Sequence, residues 1–465
     1  MRMKRIRLDA DNAWARYEPS AQAPWNRARV AHLHRRAGFS ADWATLERDL
    51  KAGPDAAVSA MLDGAAKSLD GQDAAAFEHA QNDMDRYASA TGNLGQIQAA
   101  WLYRLVFTPT PLRERLTLFW HDHFATSHAK VNSTQLMADQ IALLRTHALG
   151  SFSALLKAIA RDPAMLIWLD SSTNRKAHPN ENYAREVMEL FALGRGNYSE
   201  KDIQEAARAF TGSFIQGDRF KNVPAQHDDG PKTILGKTGP FRGDDVADIL
   251  LDQDACATFV CRKLITLLVN EIDPPDAALV KPVADTFRQA NYEMRAPVEM
   301  ILRSRLFFDS ASLRKRVKSP VEFLIGTIRS LEILKPTVSL DALAETCAAM
   351  GQSLFAPPSV AGWDGGTAWI NTASSLARAN FVLALLNPAD EKLGGRLDPL
   401  ALARRHSAAS KDRIASFFND LLLQDALEET ARARIASAFQ SAFENDVKLR
   451  EAVSLLLTSP EYQLA

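Results

Sequence analysis

Two glutamates on an apolar stretch are the first residues in this chain that suggest chemistry. In NENYAREVMELFALG, residues 180–194, Asn182, Glu186 and Glu189 recur at spacings of four and three. That spacing puts them on one stripe of a helix. Tyr183, Val187, Met188, Leu190, Phe191 and Leu193 fill most of the remaining circumference, and a helix apolar nearly all round is expected to be buried. Buried carboxylates are costly unless paired, protonated or metal-bound. Two readings follow. One is an internal salt-bridge network with Arg185 or Arg208; the other is a cavity whose carboxylates do acid–base work or hold a cation.

A second cluster is LTLFWHDHFATSH, residues 116–128, where His121, Asp122, His123 and His128 stand among Leu118, Phe119, Trp120 and Phe124. Paired histidines with a carboxylate from elsewhere bind zinc, iron or manganese. His121, His123 and Glu186 are therefore the candidate ligand set for a divalent metal. The competing reading is hydrogen-bonded core histidine, which is the commoner fate of a histidine among aromatics.

The third cluster is QHDDGPKTILG, residues 226–236. His227 and Asp228 join Glu186 and Glu189 as candidate catalytic groups, with Lys232 beside them as a substrate contact. An Asp-Gly turn with solvated charges is the plainer account. Yet Ile234 and Leu235 give the turn an apolar anchor, and its glycines permit a hinge, so it reads as a lid that brings His227 to the carboxylate stripe. A fourth group, VAGWDGGTAWINTASSLARAN, supplies Trp363, Trp369 and Asn371. With Asn182 and Arg185 they complete the candidate substrate-binding set: a tryptophan on a loop either stacks on a sugar face or simply pegs the loop. In RVKSPVEF, residues 316–323, a proline starts a helix in which Glu322 is expected to pair with Lys318.

The elements that must position these groups are helices. Apolar residues recur at three- and four-residue spacing in Trp43–Leu50, Leu143–Leu149 and Phe152–Ile159, and runs of alternating β-branched residues are nearly absent. Ser151 and Ser199 stand where helix N-caps belong, and Ser199 with Asp202 makes a variant capping box. Residues 65–90 are polar and Ala-rich, a helix of modest burial or a loop. Residues 212–245, with six Gly and three Pro, form a long ordered loop with at most a short β-hairpin. A second long loop spans 351–373, and 388–411 is a surface connection before a C-terminal helical segment. The expectation is one large all-α domain, 1–465, an irregular helical bundle with the two long loops over one end.

Composition removes several function classes. The 465 residues carry 55 Lys plus Arg and 56 Asp plus Glu, a net charge of −1, without the basic excess of a nucleic-acid binder. An apolar share of 46% supports a real core. The three cysteines, Cys256, Cys261 and Cys347, are too few and wrongly spaced for a Cys-based zinc or haem motif and read as buried thiols. GxGxxG after a strand, a Walker loop, HExxH, GxSxG and paired ExxH are all missing. No apolar stretch is long enough to span a membrane. Asp9, Asp11 and Asn12 occupy the place of a signal-peptide apolar region, so the expected location is cytoplasmic.

The motifs together resemble a large bacterial family known only as domain of unknown function eighteen hundred. The matching stretches include RVAHLHRRAGFS, RERLTLFWHDHF, NENYAREVMELFALG, DIQEAARAFTG, HDDGPKTILG, VKSPVEF, APPSVAGWDGGTAWINT and LLLTSPEYQ, in order along nearly the whole chain. The resemblance implies a predominantly helical fold and brings no established activity. Members of that family are often encoded beside a phosphatase- or sulfatase-like protein with a twin-arginine export signal. The resemblance thus implies a possible partner and an alternative location, export together with it. The leading functional expectation is a hydrolase acting on a glycan or other polar polymer. The alternatives are a non-catalytic assembly or export partner of the phosphatase-like protein, and an oxidative His/Glu metalloenzyme.

Overall fold

Helix-start chemistry recurs along the chain and sets the architecture. Ser151 Oγ accepts from the Ala154 amide, and Ser199 and Asp202 exchange the reciprocal hydrogen bonds of a capping box. Ser319 caps the Pro320–Ser330 helix, with Glu322 returning the bond to the Ser319 amide. Each such cap satisfies amide groups that the first helical turn leaves without partners. The computed structural model describes residues 10–273, 275–334, 338–393, 397–424, 426–443 and 445–465. Residues 1–9, with the Asp9 used in the signal-peptide argument, therefore lie outside the described part.

The protein is mostly α-helical, with two small antiparallel hairpins among the described residues. One cluster of buried apolar side chains runs from Ala13 to Tyr462 and ties the helices together. The polar stretch 65–90 contains the Ala74–Ala90 helix, and 388–411 contains the short Pro399–Arg405 helix, with residues 394–396 outside the described part. Cys256, Cys261 and Cys347 are buried free thiols, each pushed up by burial. No described helix is long and apolar enough to cross a membrane.

The 212–245 segment holds two hairpins where at most one was expected. Ser213–Gln216 pairs with Arg219–Asn222, and Lys232–Ile234 pairs with Lys237–Gly239. The second turn explains why: Leu235 and Gly236 both take positive φ, +48° and +82°, as a two-residue turn of the primed type requires. Leu235 is a poor match to that pattern, which hid the turn.

Two helices matter most for the site. In Pro111–His123, Leu112, Leu116 and Trp120 face the core and are wholly buried. In Asp254–Leu268, Cys256, Ala257, Val260, Cys261, Leu264 and Leu268 do the same. The opposite stripes of both helices look into a shared space.

Candidate functional site

That space is a cavity of about 470 Å³. The Pro111–His123 helix contributes Arg115, Leu118, Phe119 and Asp122, and the Asp254–Leu268 helix contributes Phe259, Arg262, Lys263 and Thr266. Both sets follow three- and four-residue spacing, one face of each helix. Glu271 and Arg316 line it too, and Trp363, Asp364, Gly365 and Trp369 close it from the 351–373 loop. Its size is that of an ordinary small-ligand site.

Two carboxylates hold the loop over the cavity. Asp122 Oδ1 accepts from the Trp363 amide at 2.8 Å, and Glu271 Oε1 accepts from the Gly366 amide at 2.8 Å. Between them, Gly362 lies so close that a Cβ would strike the Asp122 carboxylate, and its φ of +82° also favours glycine. Burial pushes the Asp122 carboxyl up to about 6, although Lys263 and Arg316 pull the other way. Burial brings the Lys263 ammonium down to about 8, opposed by Asp122.

His123 fixes Lys263. Its Nε2 donates to the Phe191 carbonyl at 2.9 Å, which leaves Nδ1 as acceptor for Lys263 Nζ at 3.1 Å. Burial holds His123 well below its ordinary value, and Lys263 adds to this, so the ring is neutral and suited to that acceptor role. The Lys263 ammonium also sits 4.9 Å from the Phe259 ring centroid, a cation–π arrangement.

Below the cavity lies a compact ionic group. One oxygen of Glu322 is shared by Arg115 and Arg316, and the other accepts from the Ser319 amide at 2.7 Å. Arg316 Nε stands 3.6 Å from Glu271 Oε2. The expected Glu322–Lys318 pair is thereby corrected: the capping role aims Glu322 at the arginines, while Lys318 Nζ lies 3.5 Å from the centre of the Tyr462 ring.

The carboxylate stripe does not meet this cavity. After Glu186 the Glu181–Glu186 helix widens into a π-helix, Val187–Ala192, with the Leu193 amide bonded to Met188 O. Changing the residues per turn breaks the regular stripe. Asn182 is exposed. Glu189 accepts from Arg195 Nε at 2.6 Å and Tyr198 OH at 2.9 Å, and the Arg195 bond holds it low. Glu186 is half-buried, and burial followed by Glu189 raises it. Arg185 pairs with Glu181 and Glu200, not with the stripe. What the π-helix supplies instead is the Phe191 carbonyl that orients His123.

The metal trio is likewise corrected. His121 Nε2 accepts from the Phe355 amide at 3.1 Å inside a box of Trp101, Phe355 and Trp363, and burial brings it down to about 3. His123 is engaged at both nitrogens. Among the described residues no group of three His, Cys, Asp or Glu gathers as metal ligands. His121 and His123 are two apart on one helix and point to different neighbours.

The expected lid is corrected as well. Asp228 is held by Arg208 Nε at 2.7 Å and Nη2 at 3.2 Å, and that pairing lowers it. Buried Lys232 donates to the Asp228 and Gly230 carbonyls. His227 Nδ1 donates to Thr211 O at 2.8 Å, so it faces the neighbouring helix end rather than Glu186 or Glu189. It lines a separate cavity of about 550 Å³ that shares no residue with the first. Asn371 caps the Thr372–Leu386 helix through the Ser374 amide. Of the candidate residues, His123, Trp363 and Trp369 line the Asp122 cavity.

The sequence pointed to Asp122 only as a member of the histidine cluster, with no role of its own, and Arg115, Lys263, Glu271 and Arg316 were missed as site residues. A signal for Lys263 was present: Arg262, Lys263 and Thr266 share one stripe of a helix that is otherwise apolar after Thr258.

No curated protein matches the chain, and no solved structure does. Residues 32–464 match the family described as "Protein of unknown function (DUF1800)". With the match covering nearly the whole chain, the protein belongs to that family.

Proposed function

We propose that the protein is a hydrolase working by acid–base chemistry in the Asp122–Lys263 cavity, on a glycan or another polar polymer. The observation that carries this reading is the convergence of Asp122, raised to about 6, and Lys263, lowered to about 8, in one cavity. Values moved toward neutrality from opposite sides are what an acid–base pair needs. Between them, Asp122 is ionised and takes a proton from water as the hydroxide adds to the substrate. Protonated Lys263 then gives its proton to the departing oxygen. Exchange with solvent restores both groups. Trp363 and Trp369 in the wall supply the aromatic faces on which sugar rings stack.

The test is release of reducing ends or free hydroxyl products from a panel of polysaccharides and glycosides. It compares the natural protein with Asp122→Asn and Lys263→Met. Activity in the natural protein that falls at least about a hundredfold in both folded variants supports the reading. Turnover unchanged in either variant, or no turnover across the panel, overturns it. The second reading, a non-catalytic assembly partner, draws on the same two carboxylates serving as loop anchors through Trp363 and Gly366. It predicts no turnover at all and a complex that needs the intact loop.

A further inference from the structure

We infer that the floor of this cavity binds an oxyanion, a phosphate, sulfate or carboxylate group carried by the substrate. The inference rests on the proposed active site and names the chemistry it recognises. It begins from an imbalance of buried charge. Arg36, Arg115 and Arg316 are 0%, 2% and 7% exposed and lie close enough to disfavour one another's charge. Among the described residues their ion-pair partners are Glu322 and Glu271, and Asp122 also favours the Arg316 charge. One Glu322 oxygen is shared between two guanidiniums, and the other is taken by the Ser319 amide. Asp122 is already matched by Lys263. One positive charge is left without a counterpart.

The donors show the same surplus. Arg115 Nε and Nη2 and Arg36 Nε and Nη1 have no hydrogen-bond partner among the described residues, although all four are sealed from solvent. Buried donors without acceptors, and buried charge without a counter-charge, are both strongly unfavourable. Such groups are few in native structures, and a bound ion is one partner that satisfies them. Arg115, Arg262, Lys263 and Arg316 line the cavity itself, so an anion there meets four cations while Arg36 reinforces the field from behind. A guanidinium presents planar, paired donors that match an oxyanion. Asp364 is exposed, and Asp122 and Glu271 each give one oxygen to the loop amides, while Glu271 Oε2, buried without a hydrogen bond, stands 3.6 Å from Arg316 Nε and offsets only part of that charge.

The experiment is calorimetric titration and thermal melting of the full chain with sodium phosphate, sulfate and acetate, against chloride at matched ionic strength. Saturable binding of at least one oxyanion, with a melting temperature that rises as the site fills, is expected. Phosphate or sulfate acting alone assigns a phosphoryl or sulfuryl group, and acetate acting alone assigns a carboxylate. Arg262→Gln, at a half-buried position, should weaken binding several-fold, and Arg316→Gln by at least about tenfold. Asp122→Asn should bind the anion at least as tightly, because it removes a nearby negative charge. Melting no different from chloride with all three anions overturns the inference, as does unchanged affinity in Arg262→Gln. Anion binding without turnover defeats only the hydrolase reading, and turnover without anion binding defeats only this one.

Discussion

Lys263 Nζ lies 3.1 Å from His123 Nδ1, and the opposite nitrogen of that ring is tied to the Phe191 carbonyl. A backbone carbonyl on a π-helix thus sets the tautomer of a buried histidine, and the histidine in turn sets the direction of the cavity's lysine. The relationship links the conspicuous NENYAREVMELFALG stretch to the site without using either of its glutamates.

The pair Asp122 and Lys263 fixes a pH dependence. Activity should rise as Asp122 ionises near 6 and fall as Lys263 loses its proton near 8, a bell with its top near neutrality. Stability should follow the opposite course. A carboxyl raised in the folded state contributes stability at acid pH that is lost as pH rises through about 6. A lowered ammonium contributes stability at alkaline pH that is lost as pH falls through about 8. Melting curves from pH 4 to 10 should therefore show a shallow dip between about 6 and 8 from these two groups. Asp122→Asn should flatten its acidic side. A variant that keeps the natural profile there removes Asp122 as the source.

Replacing His123 by Phe keeps the ring's packing against Trp120, Phe124 and Phe191 but removes the acceptor for Lys263 and the donor to Phe191 O. The loss should be about 1–3 kcal/mol, the cost of buried polar groups left unpaired. The alkaline limb of the activity profile should also move to lower pH, because the ammonium loses its acceptor. Urea denaturation and the pH profile check the two effects separately. A destabilised protein with an unmoved alkaline limb would mean that His123 only packs.

Glu322 and Glu189 should behave in opposite ways. Glu322→Gln strips the shared carboxylate from two buried arginines and should cost about 3–5 kcal/mol. Glu189 pairs with an Arg195 that is 85% exposed, and Glu189→Gln should cost no more than about 1 kcal/mol and leave turnover intact. Paired chemical denaturation curves give both numbers. A large loss of turnover in Glu189→Gln would return the carboxylate stripe to the active site.

Local rules in the sequence determined the helical class, the serine caps at Ser151 and Ser199, the buried thiols and the burial of the 180–194 stretch. These depend on residues within a turn of one another, where spacing and side-chain chemistry act directly. Spacing also drew attention to HDH, but it could not say which member faced a cavity. His121 is closed in by Phe355 from more than two hundred residues away, and Asp122 meets Trp363 across a similar gap. The Glu186–Glu189 stripe failed at the point where the helix changes its winding, which no periodic template anticipates. The arginine floor was invisible because Arg36, Arg115 and Arg316 come from three distant segments, and each alone looks like a solvated surface charge. Only tertiary packing buries them together, Arg115 and Arg316 on Glu322 and Arg36 on the Val269 and Ser312 carbonyls. A site made of long-range contacts depends on that packing, because desolvation and charge proximity exist only once distant segments share the same low-dielectric space.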